Sequence, residues 1–412
     1  MQLKQDEQDM LDGKRGPAVQ EAIAYQIEVG RFWSAERFVP ITNAHMMGDI
    51  EVMGDAGLSF LERAAAQNAR CSVPITTNAR CMDFAHVEEL GQDAGEARKE
   101  IRIIDSMRKM NVVTSDTCIN YQTLYQPHLG EHVAWGDTGT VIYANSVFGA
   151  RSNFEGGPSA LAAALTGRTP EYGFHLDAKR RGTISVRIDA TLNDLADWGA
   201  IGKIVGERHQ NYYAVPVFHG MRAPGSDELK HLGCALASYG SMAMFHMVGV
   251  TPEARTLDEA LGSLAPKDEM VITDADLQAV YAGYQLGDMS ARLVVFSGPQ
   301  LSIFEMKDLA ERFEGRQVKP GSRVFITTAG SVKHSAEQLG YLAPLEAAGC
   351  TVLEGVCFYI LQNLSGMRVA NGWTNMVSNS AKIVNIIGAH RFNTILRRTQ
   401  DCVDIACTGE LA

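Results

Sequence analysis

The sequence predicts an α/β protein in which parallel or mixed sheets are flanked by helices. Short apolar runs typical of buried strands alternate with segments of helical periodicity, above all in the last third of the chain. The composition, with 46% hydrophobic and 21% charged residues among 412, is that of a globular protein large enough for two or three domains. The 39 glycines fit many tight connections between the elements.

The first half of the chain begins with a helix and continues with strands. Polar and apolar residues mix at helical spacing over residues 19–32, which predicts a helix. Residues 111–114 and 140–144 are short apolar, β-branched runs, and each predicts a strand. The first of these runs leads toward Cys118, which we therefore expect at the end of a strand.

A polar, glycine-rich loop precedes a well-marked helix in the segment FGARSNFEGGPSALAAALTGRTP, residues 148–170. Pro158 suits the first helical position and Gly167 the position after the helix, so residues 159–166 are predicted to be helical. The loop leaves backbone N–H groups free at a helix start, where a carboxylate or phosphate could bind. An ordinary tight loop before a core helix is the simpler alternative.

The last third of the chain shows the alternation most clearly. Strands are predicted at residues 293–296, 323–327 and 351–356, with a turn over 297–300, a helix up to residue 313 and another over 335–348. Such a pattern indicates a parallel sheet covered on both faces, and ligands of these sheets bind beyond the carboxyl ends of the strands. Cys357 falls at that end of its strand.

We therefore divide the chain into three parts. Residues 1–200 form an N-terminal α/β domain with the glycine-rich loop, residues 201–285 a middle α/β domain, and residues 286–412 a C-terminal βαβ domain that contains Cys357 and Lys382.

Charge and hydropathy limit the partners and the location. The net charge of -11 argues against a nucleic-acid partner, because phosphate binding needs a basic surface. The N-terminus lacks the apolar core of a signal peptide, so a cytoplasmic protein is expected. The apolar stretch 234–250 contains His246 and is better explained by a buried core helix than by a membrane span. The eight cysteines form no CxxC pair.

One short motif offers a different chemistry. His128, Glu131 and His132 match HxxEH, in which two histidines on one helix face bind the zinc of a hydrolase. Pro127 and Gly130 oppose a regular helix there, so a chance match in a polar loop is the alternative. The chain contains no GxGxxG, no P-loop and no GxSxG motif, which weakens nucleotide-binding and serine-hydrolase hypotheses. A non-catalytic scaffold stays open.

Four longer segments resemble the aconitase X family. They are GEHVAWGD at residues 130–137, ANSVFGAR at 144–151, EGGPSAL at 155–161 and ALTGRTPEYG at 164–173. The resemblance covers essentially the whole chain, from GDAGL at residues 54–58 to CTG at residues 407–409. It implies an aconitase-like core and a dehydratase that uses protein-bound iron.

The resemblance also implies a partner and a substrate class. The chain is similar to the large subunit, so a separate small subunit with a swivelling domain is expected to supply a serine base. Family activities are the dehydration of cis-3-hydroxy-L-proline and of 5-phosphomevalonate. Residues 136–140 and 145–151 are more similar to the hydroxyproline enzymes, so we expect that hydroxy acid as substrate and pyrroline-2-carboxylate as product.

Cys118 and Cys357 match metal-binding cysteines of the family. A third family cysteine falls where this chain has Ser297, Gly298 and Pro299. This departure argues against a cluster held by three cysteines. We expect a [2Fe–2S] cluster ahead of a mononuclear iron, and a replacement for the third ligand is a further alternative.

The expected catalytic residues are Lys382 and Asp137. The candidate substrate-binding residues, drawn from the resemblance and from the glycine-rich loop, are Gly48, Asp49, Asn78, Ala79, Asp137, Thr138, Arg151, Gly156, Gly157, Ser378, Asn379 and Lys382. Three of these assignments have a named structural alternative. Lys382 could be a surface lysine, Asp137 could cap a turn, and Arg151 could form a buried ion pair with Glu155.

Overall fold

The computed structural model describes residues 1–284 and 292–411. The strands in this part of the chain are β1 (Phe38–Pro40), β2 (Ala44–Met46), β3 (Ile75–Thr77), β4 (Ala134–Trp135), β5 (Arg168–Pro170), β6 (Ile184–Ile188), β7 (Pro216–His219), β8 (His246–Met247), β9 (Asp268–Ile272), β10 (Leu293–Leu301), β11 (Arg323–Thr328), β12 (Thr351–Glu354), β13 (Asn375–Ser378) and β14 (Asn393–Leu396).

The α-helices in the same part are α1 (Gln5–Leu11), α2 (Pro17–Phe32), α3 (Ile50–Ala66), α4 (Ala94–Lys109), α5 (Asn120–Thr123), α6 (Thr138–Tyr143), α7 (Pro158–Thr166), α8 (Leu195–His209), α9 (Ser226–Gly240), α10 (Leu257–Leu261), α11 (Asp274–Ala282), α12 (Ile303–Phe313), α13 (Gly330–Gln338), α14 (Leu342–Ala347), α15 (Leu364–Ala370), α16 (Ala381–Ile386) and α17 (Thr399–Thr408).

Three parallel sheets organise these elements. One has five strands in the order β12-β11-β10-β13-β14, another has four in the order β8-β7-β6-β9, and the third has three in the order β3-β2-β4. β1 and β5 form a separate antiparallel pair. The predicted α/β class, with parallel sheets flanked by helices, is confirmed.

The central strand of the five-stranded sheet, β10, shows why a buried strand appears in the sequence as a continuous apolar run. All nine residues of β10 are buried, because a strand with neighbours on both sides and helices on both faces contacts no water. The run therefore carries consecutive apolar residues in place of an alternating pattern. The predicted turn over 297–300 lies inside this strand, where the pairing with β11 shifts register between Phe296 and Leu301.

Several predicted helices are confirmed with their end signals. Helix α2 covers the predicted segment 19–32, and α12 ends at the predicted residue 313. Helix α7 has Pro158 in its first turn, and Gly167 follows it with a φ of 73°, a conformation that favours glycine.

The strand predicted over residues 140–144 is wrong, because these residues form helix α6, which continues as a π-helix over Ala144–Phe148. All six positions from Gly139 to Ala144 are buried. A helix that is buried all round has the same continuous apolar run as a buried strand, so periodicity does not separate the two. The Asp137 side chain, which caps the helix, is the local signal that decides for it.

Three further expectations need correction. Residues 111–114 contribute only an isolated bridge, between Val113 and Thr76. The helix expected over 335–348 is two helices, α13 and α14, separated at Gly340 with its positive φ of 79°. The apolar stretch from Cys234 lies in α9 only up to Gly240.

The four-stranded sheet takes its strands from residues 184–272. The domain division at residue 200 stays a prediction, and the division at 285 lies outside the described residues. In the part of the chain that the structure describes, no helix has the length and apolar character needed to cross a membrane.

Candidate active site

The strands of the three-stranded sheet lead directly into candidate substrate residues. β2 ends two residues before Gly48, β3 ends immediately before Asn78, and β4 is followed by Gly136 and Asp137. Because the three strands are parallel, these residues lie at the same edge of the sheet, which is where ligands of such sheets bind. Asp49, Ala79 and Thr138 follow at the same edge. The structure therefore brings together the candidate residues at 48–49, 78–79 and 137–138.

The five-stranded sheet presents a second set of candidates at its carboxyl edge. β12 ends three residues before Cys357, and β13 ends at Ser378. Asn379 follows β13, and its side-chain amide donates to the Thr399 hydroxyl at 3.0 Å. Lys382 lies in the first turn of α16, the helix that begins directly after this strand.

A buried ion pair connects the two sheets. The Lys382 Nζ lies 3.5 Å from the Asp137 Oδ1, and only 8% of Lys382 is exposed, so it is not a surface lysine. Burial alone lowers the pKa of the Lys382 ammonium, but the Asp137 carboxylate and three neighbouring thiols outweigh it and hold that pKa above its ordinary value. Lys382 is therefore a fixed positive charge in the site.

Asp137 has the capping role and the ion pair at once. Its Oδ2 accepts a hydrogen bond from the Gly139 N–H at 2.8 Å and so starts helix α6. A Cβ added at Gly139 would lie 2.7 Å from the Cys234 Sγ, 3.0 Å from the Asp137 Oδ2 and 3.5 Å from the Lys382 Nζ. The three groups thus converge on one glycine that leaves no space for a side chain.

Cys234 is a site residue that the sequence analysis missed. It lies in α9 within an apolar run, the ordinary setting of a core cysteine, and no motif marks it. Burial raises the pKa of its thiol to about 11, although the Lys382 ammonium opposes that shift. Its neighbours, and not its sequence, place it in the site.

The two expected metal ligands, Cys118 and Cys357, face the same ammonium. Burial raises the pKa of Cys118, Cys357 adds to the rise, and Lys382 partly offsets it. Burial likewise raises the pKa of Cys357 against the effect of Lys382. The structure therefore brings together the two cysteines that come from different halves of the chain.

Ser297, in the segment 297–299 where a third family cysteine was expected, lies beside the Cys357 loop. Its Oγ accepts a hydrogen bond from the Phe358 N–H at 3.2 Å and lies 2.6 Å from the Thr327 Oγ1. Among residues 1–284 and 292–411, no group of three or more His, Cys, Asp or Glu side chains is arranged to hold a metal ion.

His45 is a second residue without a sequence signal. It lies in β2, and its Nδ1 is 2.7 Å from the Thr76 Oγ1. Burial lowers the pKa of His45 to about 4, against the opposing effects of Asp137 and Asn78. The imidazole is therefore neutral at neutral pH and offers one donor and one acceptor at this edge of the sheet.

Asp49 shares its surroundings with a second buried acid. Its Oδ1 accepts a hydrogen bond from the Val52 N–H at 3.0 Å, and Glu100 accepts one from the Ile50 N–H at 2.7 Å. Burial raises the pKa of Asp49 to about 7 and that of Glu100 to about 8, the latter helped by the Asp49 charge. Both carboxyls are thus partly protonated near neutral pH.

The glycine-rich loop packs against the end of β2. The Met47 N–H donates to the Gly156 carbonyl at 3.5 Å, and a Cβ on Gly157 would overlap the Met47 carbonyl oxygen. A Cβ on Gly136 would overlap the Gly156 carbonyl oxygen. Three backbones therefore approach closely here, which only glycine permits.

Arg151 contacts Asp177 and His175 and not the Lys382–Asp137 pair. It donates to Asp177, a residue 87% exposed, and to the His175 carbonyl at 2.9 Å. Its proposed ion pair with Glu155 is wrong, because the Glu155 carboxyl accepts a hydrogen bond from the Thr169 hydroxyl at 2.9 Å. The structure does not bring Arg151 into contact with Lys382 or Asp137, and a substrate role for it stays a prediction.

The HxxEH interpretation is contradicted by the local structure. Residues 128–132 form a turn and an isolated bridge in place of a helix. Glu131 accepts hydrogen bonds from the His128 N–H, Tyr125 and Thr42, and the His132 Nδ1 lies 2.8 Å from the His175 Nδ1. Without a shared helix face the two histidines cannot bind one zinc in the manner of that motif.

Loops at the carboxyl ends of two parallel sheets, joined by the buried Lys382–Asp137 pair, form the candidate site of this α/β protein. Sequence models of the aconitase X first, second and third domains match residues 1–178, 182–282 and 291–408. The chain belongs to the aconitase X family, and it is a dehydratase, that is, a hydro-lyase.

Individual relatives differ in name and length. The phosphomevalonate dehydratase large subunit of Methanothermobacter thermautotrophicus is 36% identical over 87% of this chain and 88% of its own length. The cis-3-hydroxy-L-proline dehydratase of Pseudomonas aeruginosa is 31% identical over 91% of this chain and 64% of its own length. The crystal structure of Thermococcus kodakaraensis aconitase X in its holo-form matches with a TM-score of 0.87 and 32% sequence identity. The match covers 98% of this chain and 100% of the Thermococcus chain.

Proposed function

We propose that the chain removes water from cis-3-hydroxy-L-proline to give pyrroline-2-carboxylate. The charge of the candidate substrate residues carries this proposal. Among the candidate substrate residues only Lys382 and Arg151 carry a positive charge, and Arg151 pairs with Asp177. One ammonium matches one carboxylate, and the acids Asp137 and Asp49 match the ring ammonium of an amino acid.

The reaction requires loss of the Cα proton and of the C3 hydroxyl, which leave together as water. Negative charge builds on the substrate carboxylate as the proton departs, and a preorganised cation beside it stabilises that charge. Lys382 supplies this cation, and Asp137, fixed by the N–H groups of α6, holds the ammonium in place. The enamine product then tautomerises to the cyclic imine.

Cys118 and Cys357 would hold the iron. The buried Cys118 thiol and the partly buried Cys357 thiol lie near one ammonium, with the Ser297 hydroxyl beside the Cys357 loop. This set fits an iron centre bound by two thiolates, and we propose a [2Fe–2S] cluster ahead of a mononuclear iron. When bound, the iron supplies Lewis-acid stabilisation of the departing hydroxide.

A small subunit completes the proposed enzyme. Relatives that match this chain over most of their length are named large subunits, and we propose that a small partner brings the base that takes the Cα proton. The chain is expected to act in the cytoplasm on a small hydroxy acid, with no part for nucleic acid or membrane.

The test is an anaerobic assay of the iron-loaded chain co-expressed with its small subunit, with products followed by mass spectrometry. Loss of one water from cis-3-hydroxy-L-proline is expected, and the trans isomer is the stereochemical control. No loss of water from the cis isomer by an iron-loaded complex would refute the substrate. Full activity in Cys118→Ser would refute the metal role, whereas loss of activity with the fold intact would count against a non-catalytic scaffold.

The second candidate substrate is 5-phosphomevalonate, which the 36% identity to an archaeal large subunit favours. It carries a phosphate as well as a carboxylate and would need more cations than Lys382 alone supplies. The same complex is therefore assayed with both compounds at equal concentration, and the ratio of their kcat/KM values decides between them.

Lys382→Met should lower kcat/KM by a factor of about 10²–10³, the usual cost of removing one charge-stabilising donor. It also leaves the Asp137 carboxylate buried without its cation, which we expect to cost about 3 kcal/mol of the free energy of unfolding.

The double variant Lys382→Met with Asp137→Asn separates the two effects, because it restores stability without restoring activity. Lys307→Met, which removes an exposed lysine paired with Glu311, is the control and should match the wild type. A double variant with wild-type kcat/KM would contradict the role of Lys382.

A further inference from the structure

Gln300 connects the two cysteine loops with one side chain. It lies in β10 within the irregular segment between Phe296 and Leu301, and it is fully buried. Its Oε1 accepts a hydrogen bond from the Cys118 N–H at 3.1 Å, and its Nε2 donates to the Asp116 carbonyl at 3.2 Å and to the Val356 carbonyl at 3.1 Å. The amide therefore binds the backbone of Cys118 itself, of Asp116 two residues before it, and of Val356 directly before Cys357.

The main chain of Gln300 contacts the first cysteine as well. Its backbone N–H donates to the Cys118 Sγ at 3.2 Å. Hydrogen bonds to ligating sulfur atoms are among the features that set the potential of an iron–sulfur centre. Cys118 is thus held at its backbone by the side chain of Gln300 and at its sulfur by the backbone of Gln300.

A buried charge cluster fixes Gln300 from the opposite side. The Lys230 Nζ donates to the Gln300 carbonyl at 3.2 Å, and it pairs with Asp227 at 3.1 Å and with Glu305. Burial lowers the pKa of Lys230, but Asp227 and Glu305 outweigh it and raise that pKa, so the lysine stays charged. The backbone of Gln300 therefore has a defined position from which its amide reaches both loops.

No other side chain of this size offers the same pattern of donors and acceptors. A glutamine amide has one acceptor oxygen and one nitrogen with two donors, which match one N–H and two carbonyl groups here. A glutamate would put an oxygen against two carbonyl oxygens. A methionine would leave all three backbone groups without partners.

We propose that Gln300 is a positioning residue, which sets the separation of the Cys118 and Cys357 thiols and so the affinity of the site for iron. The inference rests on the proposed function for the iron, whereas the contacts of Gln300 with the loops stand without it. Residues that orient metal ligands typically change metal affinity 10–100-fold when they are removed.

The test compares Gln300→Met with Gln26→Met in the full chain co-expressed with its small subunit. Gln26 is also a buried glutamine. Its amide donates to the Arg168 carbonyl at 2.6 Å and accepts from the Thr166 hydroxyl at 2.9 Å, and neither partner belongs to the Cys118 or Cys357 loop. Iron affinity is measured by competition with a chelator, and the visible absorption and paramagnetic resonance spectra are recorded. We expect about 10–100-fold weaker iron binding and altered spectra in Gln300→Met alone.

Hydrogen exchange of the metal-free chain tests the positioning without iron. Exchange should rise in residues 116–119 and 355–358 of Gln300→Met and stay unchanged there in Gln26→Met. Unchanged exchange in both segments would overturn the proposal. A wild-type chain that binds no iron would refute the proposed cofactor, and the exchange result would still decide whether Gln300 positions the loops.

Gln300→Glu is the second variant in case Gln300→Met does not fold. It keeps the acceptor for the Cys118 N–H but loses the donors to Asp116 and Val356, so exchange should rise more in 355–358 than around Cys118. Equal iron affinity and equal exchange in Gln300→Glu and the wild type would contradict the proposal.

Discussion

At the scale of single residues, burial decides the chemistry of this site. Lys382 and Asp137 could be nominated from sequence, because long segments resemble one family, but their ion pair joins residues 245 positions apart in the chain. Cys234, His45 and Gln300 could not be nominated. Their residue types are common in protein cores, and only their neighbours in the folded chain make them part of the site.

Glu155 gives a pH dependence whose sign follows from its burial. Burial raises the pKa of this carboxyl from 4.5 to about 7, with one opposing hydrogen bond from Thr169. The folded chain thus holds a proton that the unfolded chain releases, so this contribution to stability is complete below about pH 4.5 and is lost as the pH rises through about 7.

Between pH 6 and pH 8 the wild type should lose about 1 kcal/mol more free energy of unfolding than Glu155→Gln, which cannot titrate. Urea unfolding of both proteins at the two pH values measures the difference. Asp49 and Glu100 titrate with the same sign in both proteins, so they cancel in the comparison. Equal losses in both proteins would show that Glu155 is ionised when folded.

At the scale of elements, the end signals Pro158 and Gly167 predicted α7, and apolar runs without such signals were ambiguous. Helices α2, α7 and α12 begin at a proline or a capping serine that the sequence displays. The run over 140–144 has β-branched residues and no exposed face, so strand and helix patterns coincide. Only the preceding Asp137 distinguishes them, and its side chain also serves the site.

Gly139→Ala should fold and lose most of the activity, because the added methyl group would lie 2.7 Å from the Cys234 Sγ and displace the Lys382–Asp137 pair. Gly95→Ala is a matched control. Gly95 holds the same second helical position after a capping aspartate, Asp93, on the exposed surface of α4.

The added methyl group of the control would also approach its capping carboxylate, at 2.8 Å from the Asp93 Oδ1, but the Lys382–Asp137 pair is not among its neighbours, so Gly95→Ala should fold and keep wild-type kinetics. Circular dichroism checks folding, and kcat and KM are measured for both variants. A Gly139→Ala enzyme with normal kcat would mean that the ion pair has room to move.

At the scale of the whole molecule, sequence alternation predicted parallel sheets but not how they join. The order β12-β11-β10-β13-β14 depends on contacts between distant segments, and no local pattern encodes it. Arg80 makes one such connection. It pairs with Asp116, donates to the Glu354 carbonyl at 3.2 Å, and its backbone N–H donates to the Gly355 carbonyl at 2.9 Å.

Arg80→Met should lower the free energy of unfolding by about 3 kcal/mol, because the Asp116 carboxylate loses its cation and keeps only the Thr77 hydroxyl, and the Met82 and Glu354 carbonyl groups lose their donor. Arg102→Met removes an arginine 54% exposed and paired with Glu62, and it should change stability by less than about 1 kcal/mol. Urea unfolding measures both. Equal effects would show that Arg80 adds nothing to the junction of the two sheets.

The strand ends of the three-stranded and five-stranded sheets have a consequence for evolution and for protein engineering. Eight of the candidate substrate residues lie at or just after the ends of β2, β3, β4 and β13, whereas the strands themselves carry the core. A library confined to residues 48, 78–79, 138 and 378–379 would vary the proposed substrate contacts and keep Asp49 and Asp137, which cap α3 and α6. One ancestral framework can in this way diversify toward new hydroxy acids by exchanging loops alone.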